Sequence, residues 1–198
     1  MPDAFLKMVS NSIFIIDAGY LSFITKFLGK GEHLKFKIED FVRNISKKAN
    51  TTCKIVHFYT APPYKGPKPT ENEKQRQRSY DKFILKLREI KNPFIVIKEG
   101  RCQRIINEKG KVDYSQKGVD TLITMDLLKL SLNKEYDKIL ILTSDTDFVP
   151  VIEDIKKEKQ VVLVYFTDRK RKSGFTLSNH LWNVCDKKIR IGLTDFLV

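Results

Sequence analysis

Asp145 and Asp147 stand one residue apart in KILILTSDTDF, just after the apolar run Ile139–Leu142. Asp17 closes a similar run in SIFIID, and Asp120 opens a third segment, GVDTLITMDLL. Carboxylates gathered without His or Cys repel one another and raise their own pKa values. A hard, oxygen-loving cation such as Mg²⁺ or Mn²⁺ relieves that repulsion and binds phosphate as well. Such a set suits hydrolytic phosphoryl chemistry. Helix capping alone would need a single Ser, Thr or Asp, whereas Thr143-Ser144-Asp145-Thr146-Asp147 offers several. Asp120 in a first helical turn also favours that terminus, a role worth only about 0.3–1 kcal/mol.

The elements that would carry these aspartates follow from apolar patterning. Ile139–Leu142 and Val161–Phe166 are short runs suited to buried parallel strands, with Phe148, Val149, Ile152 and Ile155 at helical spacing between them. Ser12–Asp17 predicts a first strand, and Leu21–Phe27 a helix that stops at Gly29-Lys30-Gly31. A helix over Phe36–Ala49, a strand over Lys54–Tyr59 and a helix over Glu71–Ile90 follow, the last turning Tyr80, Phe83, Ile84 and Leu87 inward. His57 reads as a core or edge histidine rather than a ligand. A third strand is expected over Pro93–Lys98, then a β-hairpin over Gly100–Tyr114 turning at Asn107–Gly110. The helix opened by Asp120 buries Val119, Leu122, Ile123, Leu127 and Leu130. A basic loop over Thr167–Gly174, a short helix over Leu177–Val184 and a strand over Lys188–Ile191 complete the chain. Strands alternating with helices imply an α/β fold, a three-layer α/β/α sandwich with a mainly parallel sheet, occupying 1–198 as a single domain. In such a sheet ligands gather beyond the carboxyl ends of the strands, where Asp17, Asp145 and Asp147 fall.

Charge points to the partner. Lys and Arg number 37 against 24 Asp and Glu, a net charge of +13 that favours a polyanion. The proline-rich loop APPYKGPKPT cannot be helix or central strand, and it exposes Tyr64, Lys65 and Lys68. Arg76 and Arg78 follow on the next helix, and Arg101, Arg104, Lys111 and Lys117 lie on or beside the hairpin. Cations interleaved with an aromatic are the pairing a nucleic-acid surface uses. No apolar run approaches a membrane span, so no membrane partner is expected. The three cysteines are too few and irregular for a disulfide or zinc framework, and the N-terminus lacks a signal-peptide pattern; a cytoplasmic setting is expected. Self-association into a homo-oligomer stays open.

Four stretches, IFIIDAGYL, KGVDTLITMDLL, ILILTSDTDF and LSNHLWNVCDKKIRI, occur in the order found in NYN domains. The chain resembles the NYN domain family of LabA-like proteins within the PIN-like nuclease superfamily. The resemblance implies a PIN-like, Rossmann-like fold with the hairpin as an insertion. It implies a metal-dependent ribonuclease that hydrolyses RNA phosphodiester bonds using Mg²⁺ or Mn²⁺. Asp17, Asp120, Asp145 and Asp147 match the family's acidic metal-site positions, and Ser144 matches the small hydroxyl residue before the acidic pair. Many members carry an Asn where this chain has Tyr20. A non-catalytic RNA-binding module of the same fold is the alternative. A phosphatase or nucleotide-binding α/β enzyme is disfavoured, since the chain lacks a glycine-rich phosphate loop.

Overall fold

A computed structural model describes residues 10–106, 108, 110–168 and 178–197. Of the expected basic loop only Thr167 and Asp168 fall within these, and Asn107 and Lys109 of the hairpin turn lie outside them, as does Leu177.

Six strands form one parallel sheet: β1 (Ser10–Asp17), β2 (Thr51–Thr60), β3 (Phe94–Glu99), β6 (Lys138–Leu142), β7 (Gln160–Tyr165) and β8 (Lys187–Arg190). The two remaining strands, β4 (Arg101–Ile106) and β5 (Val112–Lys117), pair antiparallel as a separate hairpin. Helices cover both faces of the main sheet, which is why its strands read as continuous apolar runs. Alternate residues of each strand feed opposite layers. Phe14, Ile16, Leu140, Leu142, Val162 and Val164 pack beneath α1 (Ala18–Leu28), α2 (Ile38–Ala49) and α3 (Glu71–Glu89). Ile13, Ile15, Ile139, Ile141, Val161 and Leu163 pack beneath α4 (Val119–Ser131), α5 (Val149–Ile155) and α6 (Asn179–Val184). The expected α/β/α sandwich is thus the observed architecture.

The strand order is β3-β2-β1-β6-β7-β8. The chain leaves β1 and builds outward through β2 and β3. It then returns through the hairpin and α4 to place β6 on the other flank of β1, and builds outward again. The winding direction therefore reverses between β1 and β6, the place where open α/β sheets form their ligand crevice. Ile16 is level with Leu142, so Asp17 and Thr143 leave the sheet side by side at its carboxyl edge.

Several boundaries differ from the sequence expectation for local reasons. The first helix starts at Ala18 because Asp17 caps it. The helix after β6 opens as a 3-10 turn, Thr146–Phe148, before α5 begins. The third strand is displaced one residue, to Phe94–Glu99, and the hairpin extends to Lys117. Phe83 does not turn inward with Ile84 and Leu87; it stays 44% exposed and touches Phe58 only by its ring edge. The start of α3 follows the expected pattern through a reciprocal cap, with Glu73 N–H donating to Thr70 Oγ1 (3.2 Å) and Thr70 N–H to Glu73 Oε2 (2.8 Å). Among the described residues no helix is long and apolar enough to cross a membrane.

Candidate active site

Three pieces of the crevice deliver the four predicted carboxylates. Asp17 ends β1 and turns back to cap α1, its Oδ1 accepting from Gly19 N–H at 2.8 Å and Tyr20 N–H at 3.3 Å. Asp145 follows β6, and its N–H donates to the buried Thr143 Oγ1 (3.1 Å). Asp145 Oδ1 in turn accepts from Asp147 N–H at 2.9 Å. The simple capping roles are therefore real, but each uses only Oδ1. Among the described residues no hydrogen bond reaches Oδ2 of Asp17 or Asp145. Asp120 arrives by another route. Gly118, at φ +82°, makes a left-handed turn that glycine accepts freely, and this directs the chain from β5 into α4 with Asp120 in the first helical turn.

The electrostatics show that these groups share one environment. Burial pushes Asp17 up to about 6, against the pull of its two backbone hydrogen bonds, and the charges of Asp120 and Asp145 add to the rise. Asp120 is raised by burial first, then by Asp145 and Asp147. None of the four makes an ion pair with a cation within 4.0 Å among the described residues. As placed, no three carboxylate, imidazole or thiol groups among the described residues close around one point as an ion's ligands would. The donor set, all oxygen, uncompensated and partly desolvated, nonetheless has the chemistry that accepts a hard divalent cation. Ser144 sits half-buried between Thr143 and Asp145.

The Tyr20 side chain is buried in the core layer beneath α1. Its hydroxyl donates to the Phe166 carbonyl (3.3 Å) and accepts from Phe166 N–H (3.0 Å), fastening α1 to the end of β7. Burial, foremost, pushes that phenol up to about 12.

The predicted cations surround the carboxyl edge on two elements and a loop. Lys65 and Lys68 are exposed in the proline-rich loop, Arg76 and Arg78 on α3, and Arg101, Arg104, Lys111 and Lys117 on or beside the hairpin. The hairpin register divides its cations: Arg104 is opposite Tyr114, whereas Arg101 and Lys117 pair on the other face. Sequence patterning did not single out Gln116. A Cβ built on Gly19 would lie 3.1 Å from Asp17 Oδ1 and 4.0 Å from Gln116 Oε1, so the Gln116 amide stands beside the Asp17 turn. The one available signal was alternation along Val112, Tyr114 and Gln116, which share a face of β5.

A second polar group sits beneath α4. Tyr59 Oη donates to Asp126 Oδ2 at 2.6 Å, and Lys98 Nζ lies 3.1 Å from the same oxygen. Burial alone would raise Asp126; the hydrogen bonds from Tyr59 and Lys98 and the nearby charges overcome it and hold the carboxyl below its ordinary value. His57 lies 3.5 Å from Asp126, yet burial outweighs that charge and lowers the imidazole pKa. Its ring is therefore neutral at pH 7, and the charge partner of Asp126 is Lys98.

Comparison with known proteins agrees with the fold. A sequence profile of the NYN domain matches residues 12–192. A crystal structure of a protein of unknown function from Vibrio parahaemolyticus RIMD 2210633 has a similar fold, with a TM-score of 0.56 and 18% identity over 96% of this chain and 98% of that one. No curated protein matches the chain. NYN domains are generally nucleases with RNA-related functions, and PIN-like nucleases typically use divalent metals. Matched over nearly its whole length, the chain belongs to the NYN domain family of the PIN-like nuclease superfamily.

Proposed function

We propose that this chain, read over 1–198 as one NYN domain, is a divalent-metal-dependent endoribonuclease. What supports the reading is that the charges of Asp120 and Asp145 act on Asp17, and those of Asp145 and Asp147 on Asp120, at the reversal between β1 and β6. Asp17, Asp120 and Asp145 would hold Mg²⁺ or Mn²⁺, with Asp147 direct or through water; when bound, the ion supplies Lewis acidity toward water and the scissile phosphate. Hydrolysis adds water across one P–O bond, leaving one RNA end with the phosphate and the other with a hydroxyl.

The chain's own residues do the rest. The Thr143 hydroxyl and the Asp145 carboxylate fix the turn after β6 through two backbone hydrogen bonds, so the acidic pair is preorganised rather than recruited. Ser144 supports that turn. Lys65, Lys68, Arg76, Arg78, Arg101, Arg104, Lys111 and Lys117 hold the RNA backbone by phosphate contacts, which position a strand without reading its sequence.

Asp145→Asn tests this. Asn keeps the side chain's size and can still accept the Asp147 N–H, so the fold should hold. With labelled RNA and Mn²⁺, cleavage should fall by about 100-fold or more, while RNA affinity in EDTA holds or rises as a negative charge facing phosphate is lost. Undiminished cleavage would remove Asp145 from the site. RNA binding by both proteins without metal-dependent cleavage by either would establish the non-catalytic module instead.

A further inference from the structure

The hairpin brings an aromatic surface to the same edge. Tyr64 of the proline-rich loop and Tyr114 of β5 have ring centroids 5.8 Å apart, and the Arg76 guanidinium of α3 lies 5.4 Å from the Tyr114 ring centre. Tyr114 remains 42% exposed. Three elements distant in sequence therefore converge on these rings. Register places Arg104 directly across from Tyr114 and Cys102 across from Gln116, all on one face of the hairpin. A cavity of about 360 Å³ lies between Tyr64 and β4, lined there by Arg101, Cys102, Gln103, Arg104 and Ile106. A neighbouring cavity of about 650 Å³, also lined by Cys102, runs past Arg76 to Gln116. Gln116 stands beside the Asp17 turn. Cys102 thus lines both cavities, one reaching Tyr64 and the other Gln116.

We infer that Tyr114 and Tyr64, with Arg76, form a base-stacking subsite that takes an unpaired nucleobase of RNA beside the cleavage position. This rests on the nuclease reading for its substrate and adds to it a demand for unstacked bases. Charge argues for a polyanion here: Arg76, Arg104, Lys65 and Lys68 are all exposed around the rings. Aromatic faces flanked by arginine accept any base, whereas a duplex hides its base faces within the stack. Spacing sets the position. Tyr114 and Gln116 are two residues apart on one strand, about 7 Å at roughly 3.4 Å per residue. An unstacked strand is extended, so this short span puts the base on Tyr114 on a nucleotide close to the one beside Gln116.

The test uses binding, so it does not depend on cleavage. Affinity of the wild-type protein in EDTA is measured for a labelled single-stranded RNA, the same strand with several bases removed, and its duplex. The base-bearing single strand should bind about tenfold or more tighter than the base-free strand of equal charge, and tighter than the duplex. Tyr114→Leu should abolish that ratio, Tyr114→Phe should keep it, and Tyr64→Leu, on a separate loop, should reduce it. Melting curves confirm that each variant is folded. Equal affinity for base-bearing and base-free strands, or a ratio unchanged in both leucine variants, overturns the proposal and leaves this face to phosphate contacts or a protein partner.

Discussion

Asp17 performs two duties that pull in opposite directions. Its Oδ1 caps α1, which stabilises the fold, while its burial beside Asp120 and Asp145 opposes ionisation and lifts its pKa to about 6. A carboxyl whose folded pKa lies above the ordinary 3.8 binds its proton more tightly in the folded state. Stability is therefore lost as pH rises from about 4 to about 6, and the penalty is fully present above that window. Asp17→Asn keeps both backbone acceptor bonds and removes the charge. It should stabilise the fold at pH 7 by on the order of 1–2 kcal/mol, allowing for partial solvent access, raising the melting temperature there and leaving it unchanged near pH 4. Thermal scans of both proteins across that range check this, and a gain equal at both pH values would contradict it. A site whose charges cost stability is one where the fold holds strain for the sake of function.

Among the elements, α1 and β7 are joined at the top of the sheet by the Tyr20 hydroxyl and the Phe166 backbone. Tyr20→Phe removes both bonds while keeping the ring in the core. The loss should be about 1–2 kcal/mol, a few degrees of melting temperature, with cleavage nearly unchanged because the hydroxyl is engaged by the Phe166 backbone. Parallel assays of melting and cleavage decide it; a large drop in activity would show that this fastening positions Asp17. The same pair of elements shows what could be read from the chain alone. IFII, ILIL and VVLV announced themselves because both sheet faces are covered, so every residue had to be apolar. Asp17, Asp120 and Asp145 were visible as polar residues ending or opening such runs. Gln116, Tyr114 and Asp126 were not, because their partners lie in other elements and leave no period in the sequence. The inward role expected for Phe83 failed for a related reason: helical spacing selects a face but not how far that face extends beyond the sheet edge.

At the scale of the whole molecule the net charge of +13 governs association. Binding through about five phosphate contacts to a single strand should lose roughly 100-fold in affinity between 50 and 200 mM salt. A titration of RNA affinity against salt measures the slope, and affinity indifferent to salt would exclude the cationic rim. Base stacking is far less sensitive to ions, so Tyr114→Leu should lower affinity at every salt concentration without altering the slope.

The hairpin is hydrogen-bonded to itself rather than into the main sheet, and it is tied down at its base. Gly100 donates to the Thr60 carbonyl at 2.8 Å, and a Cβ there would fall 2.6 Å from the Lys117 carbonyl oxygen and 2.8 Å from Val119 Cγ2. Beyond that closed neck β4 and β5 pair with each other and not with the six-stranded sheet. Its arms can lengthen, shorten or exchange side chains without moving a strand or a carboxylate. In evolutionary terms the fold is a fixed frame with an exchangeable handle, in which mutation in one short segment can reshape the surface while the sheet stays as it is.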